Sequence, residues 1–327
     1  MTRLRVAVIG AGPMGRLHAR TVAASAARDG DCVLAAIVDR HAARAQQLAS
    51  EFATQPFDDP SRLAGIDAAI VAVPTAAHVE TGVALLEAGL DLLVEKPLAC
   101  DAGEGLRLVT RAEALGRILQ VGHVEWYNQR WRAALARAGE ARRIRVRRLH
   151  PASERGLDID VVQDLMLHDL DWLSRGLADE IESIEATGEG PAGGDLDHAS
   201  ARLRFRSGCV AELEASRVHD VRERSIEIEG SAGRARVDLL LDPPADTAGA
   251  AGEAPALDPL GLQWRAFVRA ALTREPPEND GRAGVEALRL VERVRAAIRR
   301  PAPAPAGHAA RPDTTEAVLG DDPLLRR

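Results

Sequence analysis

Apolar and polar positions follow two different rhythms along this chain, and the rhythm changes near residue 124. Before it, short apolar runs at 3–9, 33–38, 68–73, 92–94 and 118–121 alternate with longer stretches whose apolar positions lie three and four apart, at 16–28, 41–52, 79–88 and 101–115. Short runs that are apolar on both faces read as strands buried on both sides, and the stretches between them read as amphipathic helices. Strand and helix in strict alternation predict a doubly wound parallel sheet. Asp101 is placed to cap the last of these helices.

Beyond residue 124 a helical stretch at 128–138 is followed by alternating runs at 144–149, 181–187, 199–205, 209–215, 225–229 and 234–240. Short polar turns such as Arg206-Ser207-Gly208 join them, which predicts an antiparallel or mixed sheet. Helices are expected at 260–273 and 284–299. The expected fold class is therefore α/β. Residues 1–124 form a dinucleotide-type domain, and residues 125–300 form an α+β domain with an open, mostly antiparallel sheet. The Ala/Gly/Pro-rich segment 243–255 reads as a mobile loop and the Pro/Ala-rich 301–327 as a disordered tail. An open sheet face needs covering, so a homodimer or homotetramer is expected.

The first apolar run ends in Gly10-Ala11-Gly12-Pro13-Met14-Gly15, and the second ends at Asp39. Strand, G-x-G-x-x-G, helix, strand, acid is the pattern of a Rossmann dinucleotide site. Gly10 makes the tight turn, Gly12 admits a pyrophosphate, Gly15 lets helix and sheet approach, and the helix N-terminus faces the phosphates. Asp39 suits the two hydroxyls of an adenosine ribose, so NAD is expected over NADP, although Arg40 beside it is suited to a 2′-phosphate. Strand-end loops at 73–78, 95–97 and 122–128 should reach the same crevice, adding Thr75, His78, Glu95, Lys96 and His123 as cofactor contacts.

Lys96 is the only lysine in the chain; the other 41 of the 42 Lys+Arg residues are arginines. A surface lysine converts to arginine at little cost, whereas a lysine whose compact, titratable ammonium does chemistry does not. Asp164, His168 and Asp171 share one stripe at helical spacing. Acid, His and acid in line would orient a general base, with Asp171 holding the second ring nitrogen of His168. Asp169 falls on the apolar face and reads as a buried structural acid. Glu125, Tyr127 and Asn128 enter the crevice as substrate contacts; Tyr127 stacks on a ring or seals a boundary, and Asn128 binds hydroxyls or caps the next helix. No zinc-type spacing is present, so no metal is expected.

The net charge of −7 argues against nucleic acid or an anionic membrane as partner. No apolar run approaches the ~18 residues a membrane helix needs, and three widely spaced cysteines suit a reducing cytoplasm.

G-A-G-P-M-G at 10–15, Asp39, P-T-A-A-H at 74–78, E-K-P at 95–97 and D-L-M-L-H-D-L-D at 164–171 together resemble the glucose–fructose oxidoreductase / inositol dehydrogenase / rhizopine catabolism (Gfo/Idh/MocA) family. The resemblance implies metal-free hydride transfer from a sugar or cyclitol carbon to nicotinamide. It implies that Lys96 contacts the reacting hydroxyl and the nicotinamide ribose, that His168 is the general acid/base, and that Asp164 positions substrate and His168. V-G-H-V-E-x-x-N at 121–128 further resembles the members that oxidise the 3-hydroxyl of UDP-N-acetylglucosamine, whose product a partner aminotransferase converts to a 3-amino sugar for lipid A. Trp126-Tyr127 replaces the Arg-Phe of that group. Arg148 and Arg155 are the expected grips on the diphosphate.

Overall fold

Six parallel strands build the first sheet of the computed structural model, which describes residues 3–152, 159–191, 195–241 and 258–299. They are β1 (Leu4–Ile9), β2 (Cys32–Val38), β3 (Gln55–Phe57), β4 (Ala68–Val71), β5 (Asp91–Glu95) and β6 (Leu119–Gly122), in the order β3-β2-β1-β4-β5-β6. Helices α1 (Pro13–Asp29), α2 (Ala42–Glu51), α3 (His78–Glu87) and α4 (Ala102–Ala114) connect them. The order reverses between β1 and β4, so the loops leaving these two strands part and open a crevice at their carboxyl ends. β3 was not expected from the pattern. Its three residues are too few to show a period, and Pro56 is tolerated because the strand lies at the sheet edge.

The chain then runs through α5 (Gln129–Ala138) and β7 (Ala141–Leu149), a π turn (Val162–Met166) that continues into α6 (Leu167–Gly176), and β8 (Ile181–Glu189). β9 (His198–Phe205), β10 (Val210–Ser216), β11 (Glu223–Gly230) and β12 (Gly233–Asp238) come next. The chain closes with α7 (Pro259–Thr273), α8 (Gly281–Ala297) and a two-residue β13 (Ile298–Arg299). The second sheet has the order β12-β11-β7-β10-β9-β8-β13. It is mixed and mostly antiparallel, with β7 parallel to β10 and β8 parallel to β13. The predicted loop at 243–255, the predicted tail and Arg155 lie outside the described residues.

Alternation assigns the faces of both sheets. In β1, Leu4, Val6 and Val8 point to one core and Ala7 and Ile9 to the other. In β7, Ile144 and Val146 are buried, while Arg143, Arg145 and Arg147 reach the open face and pair there with Glu212, Glu214 and Glu223. That face is polar and its charges are matched within the chain. Among the described residues no helix is long and apolar enough to cross a membrane.

The closing helices do not stay with the second sheet. α7 lays Trp264, Phe267 and Val268 into the core formed by Leu4, Val6, Val8 and Ile37 of the first sheet. The Gln120 side chain of β6 donates to the Gln263 carbonyl at 3.0 Å, and Arg274 donates to Asp91 at 2.5 Å. α8 returns across α4 and α6 and buries Leu288 and Val291 between them. The two sheets are thus clamped together by the end of the chain. Trp264→Ala should therefore destabilise the protein by about 3–5 kcal/mol in denaturant unfolding; an unchanged midpoint would show that α7 does not complete this core.

Candidate active site

The glycine loop after β1 has the shape its sequence predicts. Gly10 sits at φ +104°, and a Cβ there would come within 2.4 Å of the Ala72 carbonyl oxygen. A Cβ on Gly15 would lie 1.8 Å from the Gly10 oxygen, whereas one on Gly12 would meet nothing within 4 Å. Gly10 and Gly15 are thus forced by packing, and Gly12 faces open space where a pyrophosphate would pass. α1 starts at Pro13 with no side-chain cap, leaving its first amides, including that of Met14, for an anion. Asp39 accepts from the Ala11 and His41 amides at 2.9 Å each, so it braces the loop from the end of β2. Arg40 is exposed and Thr75 buried beside this crevice. These residues fit a dinucleotide.

Lys96 comes directly after β5, and the Lys96–Pro97 peptide is cis. Its ammonium donates to the Asp164 carboxylate at 2.8 Å and to the Asp164 carbonyl at 3.0 Å. Asp164 is placed by its neighbour: the Gln163 amide donates to the carbonyls of Ala99 and Cys100 at 3.1 and 2.9 Å, pinning the π turn to the loop that carries Lys96. Two buried histidines hold the loop from below. His18 Nε2 lies 2.6 Å from Glu95 Oε1, and Glu95 Oε2 accepts from the Lys96 amide at 3.1 Å. Burial alone would raise the Glu95 pKa, but the His18 bond and the Lys96 charge hold it below its ordinary value. His78 sits 2.9 Å from both the Pro97 and Val73 carbonyls, tying the ends of β4 and β5 together. Burial lowers its pKa, and the two carbonyls oppose that.

His168 faces the same region without an acid partner. It makes no hydrogen bond among the described residues, and its Nδ1 is buried. Burial and the positive fields of Lys96, Arg148, Arg224 and His123 hold its pKa well below the ordinary histidine value. The expected Asp171–His168 contact is corrected: Asp171 lies 2.9 Å from His123 Nδ1 and accepts from Arg175 at 2.6 Å. Both residues lie in the regular helix α6, where three positions set them about 60° apart around the axis, and the Asp171 carboxylate is taken by His123 and Arg175 instead.

The remaining predicted residues divide by burial. Arg148 is buried and forked onto Asp169 at 2.9 and 2.7 Å, so the structure gives it a carboxylate rather than leaving it open for a diphosphate. This pair also places Asp169 as the structural acid the pattern suggested. Glu125 is buried between Arg224 at 2.5 Å and Arg148 at 3.5 Å. Burial would raise its pKa, but these two arginines pull it below the usual value. Tyr127 is buried at the boundary, and burial pushes its phenol pKa up. Asn128 caps α5, accepting from the Arg130 amide at 3.1 Å. His123 is buried, and its carbonyl accepts from Asn279 at 2.8 Å. Sequence pattern alone did not single out His18 or Gln163. His18 is the one titratable residue among buried Gly15, Ala19, Val22 and Ser25 on one face of α1, and that was the available signal.

Residues 4–123 match the family described as "Oxidoreductase family, NAD-binding Rossmann fold", and residues 106–236 match the "GFO/IDH/MocA C-terminal domain". The chain belongs to the GFO/IDH/MocA oxidoreductase family. Among relatives, it is 31% identical over 313 residues to UDP-N-acetylglucosamine 3-dehydrogenase of Acidithiobacillus ferrooxidans, covering 91% of this chain and 98% of that protein. The solved structure of that enzyme superposes with a TM-score of 0.78 over 91% of this chain and 98% of that one, at 31% identity. Myo-inositol dehydrogenase Hyg17 of Streptomyces leeuwenhoekii is 34% identical over 297 residues, 83% of this chain and 88% of that one. A 3-ketoreductase from Actinomadura kijaniata, solved with TDP-benzene and NADP, shares the fold at 24% identity, with a TM-score of 0.79 over 91% of this chain and 99% of that one.

The buried acids of this GFO/IDH/MocA site set an acid limit on stability. Burial opposes ionisation of Asp171, but His123 and Arg175 outweigh it and lower its pKa, as His18 does for Glu95. Their contribution is fully present above the ordinary carboxylate pKa of about 4 and is lost as pH falls from there through the depressed folded values. Asp171→Asn should destabilise the protein at pH 7 and flatten the acid limb of a melting-temperature profile; a parallel profile would remove Asp171 from this role.

Proposed function

We propose that this chain oxidises a ring hydroxyl of a sugar to a ketone with NAD, and that the substrate is UDP-N-acetylglucosamine, oxidised at its 3-hydroxyl. The observation that carries the reading is the Lys96 ammonium, held 2.8 Å from Asp164 at the carboxyl end of the dinucleotide sheet and within the field of an unpaired His168. The 31% identity to the Acidithiobacillus enzyme over nearly its whole length supports the substrate. Bound NAD supplies the hydride acceptor. His168, neutral at neutral pH, has a nitrogen lone pair to take the hydroxyl proton. Lys96, kept in place by Asp164, stabilises the alkoxide as it forms. Asp164 acts on the substrate through Lys96.

NAD is preferred over NADP in this reading because the Asp39 carboxylate, fixed by two backbone amides, would face a 2′-phosphate at close range. In this reading the protein works in the cytoplasm, a downstream aminotransferase consumes the ketone and a second copy of the chain covers the open sheet. A second reading, oxidation of a free sugar or inositol, is favoured by the 34% identity to the Streptomyces enzyme. A non-catalytic NAD-binding module would have no use for Lys96, Asp164 and His168 together.

Lys96→Ala and His168→Ala should each lower turnover at least about a hundredfold with NAD affinity within severalfold, and Lys96→Arg should not rescue. Unchanged turnover would remove that residue from the chemistry. The acid limb of kcat/KM should fall below the ordinary histidine value of about 6.5, because protonating His168 removes the base; a limb above it would point to another group. Purified protein with NAD, UDP-N-acetylglucosamine and an aminotransferase plus glutamate should yield NADH and a 3-amino sugar nucleotide by mass. NADH with inositol alone would favour the second reading.

A further inference from the structure

Basic residues gather where β7 ends and β11 begins: Arg148 and Arg224 within the strands, His150 and Arg222 just beyond them. The strands are antiparallel with Arg148 opposite Arg224 and Leu149 opposite Glu223. His150 and Arg222 are the next residues beyond this ladder, and Arg222 is the charge that acts most strongly on His150. Arg147 and Glu223 occupy the other face, where they pair at 2.7 Å.

Like charges placed opposite each other destabilise a sheet unless an acid lies between them. The inner pair has its acids: Arg148 is forked onto Asp169, and Arg224 rests on Glu125. Among the described residues the outer pair has no acid bonded to it. Among the described residues neither the His150 ring nor the Arg222 guanidinium has a hydrogen bond or ion pair. Arg222 is exposed and His150 half-buried. Their backbone is nevertheless fixed: the His150 amide donates to the Ser216 carbonyl at 2.8 Å, and the His219 amide donates to the His150 carbonyl at 2.9 Å. The inner pair borders the reacting region, because Arg148 is bonded to Asp169, the residue next to His168. Besides burial, His150 feels Arg222, Arg148 and Arg224, opposed by Asp164, and two of those same arginines act on His168.

We propose that His150 and Arg222, backed by Arg224, form an anion subsite beside Lys96 and His168 that takes the phosphate groups of a nucleotide sugar. It replaces the assignment of that task to Arg148, whose fork is filled by Asp169. The proposal rests on the sugar-nucleotide reading for its ligand, but its residues can be tested separately.

The test is calorimetric titration of the NAD-saturated protein with UDP and with inorganic pyrophosphate, so that the dinucleotide site is blocked. In Arg222→Ala both dissociation constants should rise about tenfold or more, as expected for loss of a charged hydrogen bond, with partial recovery in Arg222→Lys. The open-face variant Arg234→Ala should match the wild type. The KM for UDP-N-acetylglucosamine should rise in step in Arg222→Ala, with kcat within about twofold and NAD affinity unchanged. If the wild type oxidises the nucleotide sugar but Arg222→Ala binds UDP as tightly, the subsite is wrong and the substrate reading stands. If the wild type oxidises only inositol but binds pyrophosphate through Arg222, the subsite stands and the substrate reading falls. Failure of the wild type to bind either anion would overturn the subsite.

Discussion

The contact between Lys96 and Asp164 joins the two sheets at the place where chemistry is possible. Both side chains are about one-fifth exposed, at 21% and 22%, so solvent screens the pair and it adds little to stability. Its value is positional. The pair is kept in register by a set of buried, weakly exchangeable contacts: Gln163 on the carbonyls of Ala99 and Cys100, Glu95 on the Lys96 amide, and His78 between the ends of β4 and β5. The loop is held on three sides, and the ammonium reaches from it into the crevice.

Around this point the acids are distributed so that, among the described residues, none is bonded to His168. Asp169 holds Arg148, Glu125 holds Arg224, Asp171 holds His123 and Arg175, and Asp164 holds Lys96. A histidine so placed is surrounded by positive groups whose own counter-charges point elsewhere. The imidazolium is then costly in the resting protein, which keeps the lone pair available. Replacing any one of these acids would therefore reach His168 indirectly, by freeing a positive group near it.

Much of this was legible in the sequence because it depends on local pattern. Apolar runs in a parallel sheet, the glycine loop and the lone lysine at a strand end each announce themselves within a few residues. Less legible was whatever depends on partners distant in the chain. Asp171 lay on the right stripe of the helix, but His123, just past β6, draws its carboxylate away from His168. Arg148 read as a free cation because its partner Asp169 is 21 residues away. α7 read as a closing helix with no hint that its Trp264 and Phe267 complete the core of a sheet begun at Leu4. His18 was concealed within an apolar helix face, where only its polarity marked it.

The single lysine has a consequence for handling the protein. Apart from the amino terminus, Lys96 carries the only primary amine in the chain, and Asp164 holds it in the crevice. Acylating esters, or aldehydes trapped by reduction, would have one side chain to modify, and substrate or dinucleotide in the crevice would shield it. The fraction left unlabelled, read as the absence of one mass increment on one peptide, would then count occupied sites without any need to follow turnover. The arginine-rich surface that replaces lysine everywhere else makes the protein a carrier of its own site-specific handle.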